Sequence, residues 1–373
     1  MNDKDTYNQL RELVAIDSVF PKENELSIYL SRQLSRHGFK VQKVSTQDRR
    51  NNIVATFGPA KKYLGFYGHI DTVEADRHYK ADPLTARRKG DKVQGLGVAD
   101  MKGGITATLS LAEFASAQKL PVKLVFGVDE ENISAGAHDL VGSGLMDNID
   151  FLISAESGQI GDTPQAYNVC YGRRGRVVIG IKINGRKAHA AESHNAVNAI
   201  EEAVLFLSNL NRLSFPKSPN FGTAQSVVSE ISGATGSFSV PDECSFTASI
   251  LTTPAIKQPQ VLSQLKRLAK NLNIAADIRV LPRATSYSES YEVDRSNKFL
   301  QTLETTILNP AGIRPGYSNS VADENIFANR LSIPVISIGP VAGGDHTADE
   351  WVSLKSIERV SDVYKRILVL HNS

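Results

Sequence analysis

Apolar positions recur at helical spacing around Tyr7 to Ala15 and again from Glu25 to His37, after which the period changes. Short apolar runs follow at NNIVATFG, YLGFYGHID, PVKLVFGVDEE and IDFLISAES, with helical stretches between them such as GGITATLSLAEFASA after Lys102. Such strands separated by helices predict an α/β fold, a doubly wound and mostly parallel sheet covered on both faces. Function in such a sheet collects at the carboxyl ends of the strands.

From about Arg173 the texture differs. GRVVIGIKINGR reads as a strand, NAVNAIEEAVLFLSNLNRL as an amphipathic helix, GTAQSVVSEISG and ECSFTASILTT as strands, QPQVLSQLKRLAKNL as a helix and AADIRVL as a strand. That β-α-β-β-α-β order is the ferredoxin-like arrangement. After Thr285 the first texture resumes, with helices at SNKFLQTLETTIL and DENIFANRL, a strand at IPVISIG and a closing helix from Ser353. The expected organisation is a main domain over 1–173 and 285–373, interrupted by a smaller one over 174–284.

Composition narrows the partners. With 373 residues, 41% of them hydrophobic, the chain can build a large core in roughly two domains. Lys and Arg number 42 against 40 Asp and Glu, a formal charge of +2. No global field draws the chain to nucleic acid or an anionic membrane, and no basic stripe or aromatic platform suggests a nucleic-acid binder. MNDKDTYNQL has neither a basic leader nor an apolar core, and no apolar run approaches the ~20 residues that span a bilayer. A cytoplasmic protein with a small-molecule partner is expected. Cys170 and Cys244 lie far apart without CxxC spacing, which argues against a thiolate metal site or a disulfide framework.

The unusual residues sit at predicted strand ends. YLGFYGHIDTV closes on His69 and Asp71, whose spacing puts both on one side of a strand. A metal-bound imidazole needs an acceptor for its other N–H, although a core histidine would also fit. LVFGVDEENI ends in Asp129, Glu130 and Glu131, either a solvated turn or acids with separate tasks. Asp100 stands in GLGVADMKGG, where it could cap a helix or, packed among Gly95, Gly97, Gly103 and Gly104, be held rigidly enough to bridge two cations. Glu156 ends IDFLISAES, and His346 lies in the Gly-rich GPVAGGDHTADEW with Asp345, Asp349 and Glu350 nearby. Two histidines with several carboxylates and no cysteine suit catalytic zinc, with cobalt or manganese possible.

These motifs, with GRKAHAAESHNAVNAI further on, resemble the dinuclear zinc amidohydrolases and exopeptidases that include acetylornithine deacetylase, succinyl-diaminopimelate desuccinylase, aminoacylase and glutamate carboxypeptidase. The resemblance runs over nearly the whole chain. It implies that His69 and Glu156 hold one metal, Glu131 and His346 the other, and Asp100 bridges them. It further implies that Asp71 orients His69 and that Glu130 is general base and acid. His189 would reach across a homodimer, paired through the inserted lid domain, to polarise the scissile carbonyl. Three ligand carboxylates against two divalent cations leave one positive charge, which a bridging hydroxide cancels; metal binding lowers the pKa of water from ~15.7 to about 7.

The implied activity is hydrolysis of an amide bond in an N-acyl amino acid or small peptide. A glutamate carboxypeptidase-like exopeptidase or dipeptidase is the alternative, since the GPVAGGDHTADEWV loop looks closer to that branch. A non-catalytic binding protein on the same fold is a third reading, opposed by the intact Glu130. Relatives often grip a substrate carboxylate with an arginine in the stretch matching SFTASILTTP, where this chain has Ser249, Ile250, Leu251 and Thr252. Arg173, Arg174, Arg176, Arg283 and Arg314 could take that role but are more simply surface charges. His138 and His194 read as structural.

Overall fold

The computed structural model describes residues 3–157, 168–210, 212–235 and 238–373. It separates into a first unit of Met1–Gly172, Glu292–Ser318 and Ala322–Ser373, and a second of Arg173–Tyr291 with Asn319–Val321. The second unit takes in Asn319 and Ser320 because Arg174 donates to Asn319 Oδ1 at 2.9 Å and Arg173 to Ser320 Oγ at 2.6 Å.

The first unit is built on a sheet in the order Lys40–Ser45, Asn51–Phe57, Val122–Gly127, Tyr63–His69, Ile149–Ser154, Val335–Ser337 and Asn168–Arg173. Its four strands from Val122–Gly127 to Val335–Ser337 run parallel. Two of them, Tyr63–His69 and Val122–Gly127, are buried at every position, as strands covered on both faces must be. The edges reverse: Lys40–Ser45 pairs antiparallel with Asn51–Phe57, and that strand antiparallel with Val122–Gly127. NNIVATFG therefore does not join the parallel set. Only residues 46–50 link its strand to the one before, too few for a crossover, so the pair closes as a hairpin.

The helix Gly103–Gln118 is buried on all sides from Gly103 to Ala112. Its uniform apolarity is explained by its place between the sheet and the amphipathic helices Asp3–Val14 and Leu354–His371. Phe66 of the sheet meets Tyr364 of the closing helix with ring centroids 4.8 Å apart. A feature that periodicity did not announce is a second, antiparallel sheet in the order Ala342–Gly343, Trp351–Ser353, Lys92–Gln94, Arg87–Lys89. Its strands are two or three residues long, too short to show alternation, yet they join chain segments some 250 residues apart.

In the second unit four antiparallel strands lie in the order Gln225–Ser232, Glu243–Thr252, Gly175–Asn184, Ala276–Val280, with helices Ala199–Leu210 and Gln258–Asn271. The chain order is β-α-β-β-α-β. Alternate residues of Gly175–Asn184 and Glu243–Thr252 point into a core of Val177, Ile179, Ile181, Phe206, Phe246 and Leu265. Cys170 and Cys244 are buried thiols. Among the described residues no helix is long and apolar enough to cross a membrane.

Candidate metal centre

The strand Tyr63–His69 delivers His69 to its carboxyl end with the ring fully buried. Nδ1 lies 3.0 Å from the backbone carbonyl of Asp71. A carbonyl oxygen can only accept, so Nδ1 carries a proton and a neutral ring turns the lone pair of Nε2 outward. That lone pair faces Asp100 Oδ1 at 2.7 Å and Glu156 Oε1 at 3.4 Å. Three electron-rich atoms converging in a buried place repel unless positive charge sits among them. Burial opposes the charged ring, but Asp100, Asp71 and Glu156 outweigh it and hold the imidazole well above its ordinary value.

The neighbouring loops repeat the pattern. After Val122–Gly127 the chain turns at Asp129, which adopts a left-handed φ of 72°, and presents Glu130 and Glu131. Past Ile149–Ser154 comes Glu156, while His346 occupies the loop between the short strands Ala342–Gly343 and Trp351–Ser353. His346 Nε2 stands 3.1 Å from Glu131 Oε1 and 3.4 Å from Asp100 Oδ2. Three trios could each surround a cation: His69 with Asp100 and Glu156; Asp100 with Glu131 and His346; His69 with Glu130 and Glu131. Asp100 belongs to the first two, one oxygen turned to each histidine. Its side chain is 21% exposed and that of His346 50%, against none for His69, so the cluster opens to solvent on the His346 side.

The acids respond as carboxylates lacking counter-charge do. Burial, reinforced by Asp323, Glu156 and Glu131, pushes Glu130 well above the usual range, and burial with Asp100 raises Glu156 to about 7. Burial also raises Glu131. Asp100 moves the other way; burial works against its charge, yet His69 and His346 hold it below the usual value. A donor set of imidazole nitrogen and carboxylate oxygen, pre-gathered and short of positive charge, fits one or two divalent cations.

Backbone packing explains the precision. The helix Gly103–Gln118 begins so close to the Glu156 strand that a Cβ on Gly104 would run into the carbonyl oxygen of Ala155. The glycines around Asp100 thus bring its loop against the adjoining strand end, and Asp100 itself precedes the helix without capping it. The Asp71 carboxylate reaches two groups: its Oδ2 accepts from the backbone N–H of Glu131 at 2.9 Å, while its Oδ1 is 3.5 Å from His69 Nδ1.

Two sequence readings are corrected here. Asp129 is not a solvated turn residue: it is fully buried, accepts from Arg50 Nη2 at 2.8 Å and from the Ala135 N–H at 2.8 Å, and so fixes the loop that carries Glu130 and Glu131. Arg173 and Arg174 are not surface charges; both are buried, and Arg174 also donates to the carbonyls of Thr223 and Phe221. Asp323, which sequence reasoning passed over, is fully buried and accepts from the Tyr67 hydroxyl; burial raises it to about 7. Its only advance signal was an acid heading the apolar helix Glu324–Leu331. His189 belongs to the second unit, where it is exposed, caps the turn Ala190–Asn195 by accepting from the Ala191 N–H at 3.1 Å, and meets the Phe238 ring edge-on at 5.7 Å.

Known proteins share this architecture. The sequence model of the family described as "Peptidase family M20/M25/M40" matches residues 65–369. A succinyl-diaminopimelate desuccinylase of Rickettsia felis (strain ATCC VR-1525 / URRWXCal2) is 26% identical over 381 residues, covering 97% of this chain and 98% of that one. A tripeptidase of Staphylococcus aureus subsp. aureus Mu50 superposes with a TM-score of 0.79 at 20% identity, over 100% of both chains. The Bacillus subtilis YXEP protein, described as a dinuclear metal binding peptidase, superposes with a TM-score of 0.75 at 15% identity, over 100% of this chain and 99% of its own.

Proposed function

We propose, from the premise that this chain belongs to peptidase family M20/M25/M40, that its metal-dependent amide hydrolysis acts on N-acyl amino acids or short peptides through two divalent cations. The observation that carries the reading is the pair of donor trios joined at Asp100. His69, Asp100 and Glu156 would hold one cation, and Asp100, Glu131 and His346 the other. Nitrogen and oxygen donors with an open side suit zinc, and cobalt or manganese would also be accepted. Bound there, the cations would polarise the amide carbonyl and acidify water.

The protein's own groups do the rest. Glu130 stands beside His69 and Glu131 in a buried setting that raises its proton affinity. Its carboxylate takes a proton from the attacking water and returns it to the departing amine nitrogen, a service typically worth about 10²–10⁴-fold. Asp71 keeps His69 in the tautomer that leaves Nε2 available, through its carbonyl, and steadies Glu131 through its carboxylate. His189, with its ring exposed, would donate to the substrate carbonyl oxygen of a partner subunit.

A homodimer built on the second unit is supported by the edge strand Gln225–Ser232. Val227, Val228 and Ile231 there are 58%, 37% and 51% exposed. An apolar edge of this kind is an aggregation hazard unless something covers it. Substrate class draws on two supports: the relatives named desuccinylases and the peptidases among the structural neighbours. Amine release from N-acetyl and N-succinyl amino acids and from dipeptides, measured with zinc, cobalt and manganese, separates the branches. Glu130→Ala should abolish turnover in every arm while metal content stays. Absence of bound metal, or activity indifferent to Glu130, would overturn the reading.

A further inference from the structure

We propose that Glu350 is a positioning residue that locks the Asp100 loop and the His346 loop into a single rigid element; the inference rests on the two-cation reading above. Glu350 lies four residues after His346, immediately before the strand Trp351–Ser353, and is 2% exposed. Its Oε2 accepts from the Gly97 N–H at 2.8 Å. Its Oε1 accepts from Ala99 N–H at 2.8 Å and from the N–H of Asp100 itself at 3.2 Å. Both oxygens accept from backbone, and Glu350 belongs to none of the three donor trios. Three oriented N–H groups of one loop enclose the carboxyl, and the side chains of the buried Lys102 and the half-buried Tyr79 also interact with it.

The consequence is geometric. Asp100 can turn one oxygen to His69 and the other to His346 only if two loops 250 or so residues apart in sequence keep a fixed separation. The strand pairing Trp351 with Gln94 brings the loops alongside. It ends before either ligand, and the remaining span is closed by Glu350. Gly97 takes part through its left-handed φ of 73°, and a Cβ on it would strike the Thr72 side chain.

Glu350→Gln tests this, because an amide keeps the shape but replaces one acceptor oxygen by an NH2 that opposes the N–H groups it meets. Zinc affinity is read by competition with a chromophoric chelator for the wild-type protein, Glu350→Gln and Glu350→Asp, and turnover is titrated against added zinc. A loss of about 10–100-fold in affinity is expected for Glu350→Gln, with turnover recovering as zinc is raised and with smaller losses in Glu350→Asp. Unchanged affinity, or turnover that stays low once zinc saturates, would overturn the assignment. Should the variant not fold, hydrogen exchange in the metal-free wild-type protein decides: slow exchange at Gly97, Ala99 and Asp100 supports the lock, and exchange as fast as in exposed loops refutes it. A wild-type protein that binds no zinc would instead sink the cation reading and this inference with it.

Discussion

Arg50→Met should destabilise the first unit severely and blunt catalysis from a distance. Arg50 is 4% exposed, and its guanidinium donates through Nη1 to Glu23 at 2.6 Å, through Nη2 to Asp129 at 2.8 Å and through Nε to Asp48 at 2.8 Å. Phe20 covers it, with its ring centroid 4.5 Å from the guanidinium carbon. Methionine would keep much of the apolar volume and remove the charge. Asp48 is half exposed and can turn to water, but the Glu23 and Asp129 side chains have no exposure at all. Breaking a buried ion pair by deleting one partner costs about 3–5 kcal/mol, and two stranded carboxylates place this site at the upper end. Burial, the largest influence on Glu23, already raises its carboxyl although Arg50 opposes it. Without Arg50 that carboxyl is raised further. A carboxyl higher in the folded than in the unfolded chain favours folding below the unfolded pKa and loses that favour as pH rises through the folded one, so the deficit at pH 7 should shrink on acidification toward ordinary carboxylate values. Urea unfolding followed by Trp351, the chain's single tryptophan and part of the first unit, isolates the relevant transition. Restoring neutrality with Glu23→Gln and Asp129→Asn in the same chain should recover a large part of the loss. A deficit below about 1 kcal/mol would refute the view that this network holds the loop beneath Glu130 and Glu131.

Two further outcomes probe the site and the assembly. Gly104→Ala should cost about 1–3 kcal/mol, since its Cβ meets the Ala155 carbonyl, and should weaken metal retention by moving Glu156, as thermal unfolding with and without chelator would reveal; a variant as stable and as metal-replete as the parent would contradict the packing argument. His189→Ala should lower turnover far more than metal content, and mixing it with Glu130→Ala under subunit exchange should regenerate about a quarter of the sites if the histidine acts across a two-fold dimer. No regained activity in the mixture would count against that arrangement.

What could be read in advance followed the physics of period. Helices longer than two turns and fully buried parallel strands impose spacing on their sequences, so the α/β framework and the β-α-β-β-α-β order were legible, as were carboxylates and histidines stranded at strand ends. The small sheet was not, because a strand of two or three residues such as Ala342–Gly343 has no period to display. Nor was the work of Asp129, Asp323 and Glu350. An isolated acid looks the same on paper whether water or a buried arginine answers it, and only tertiary closure decides which. Asp129 faces inward to Arg50, Glu130 lies beside His69 and Glu131, and Glu131 meets His346. Three adjacent acids endure in one turn because their surroundings differ: Asp129 meets a guanidinium, Glu130 is buried beside His69, and Glu131 meets His346. Displacing any one of them should therefore disturb the other two through the shared backbone, so a stability assay at Arg50 and a metal assay at Glu350 would interrogate the proposed centre from opposite sides.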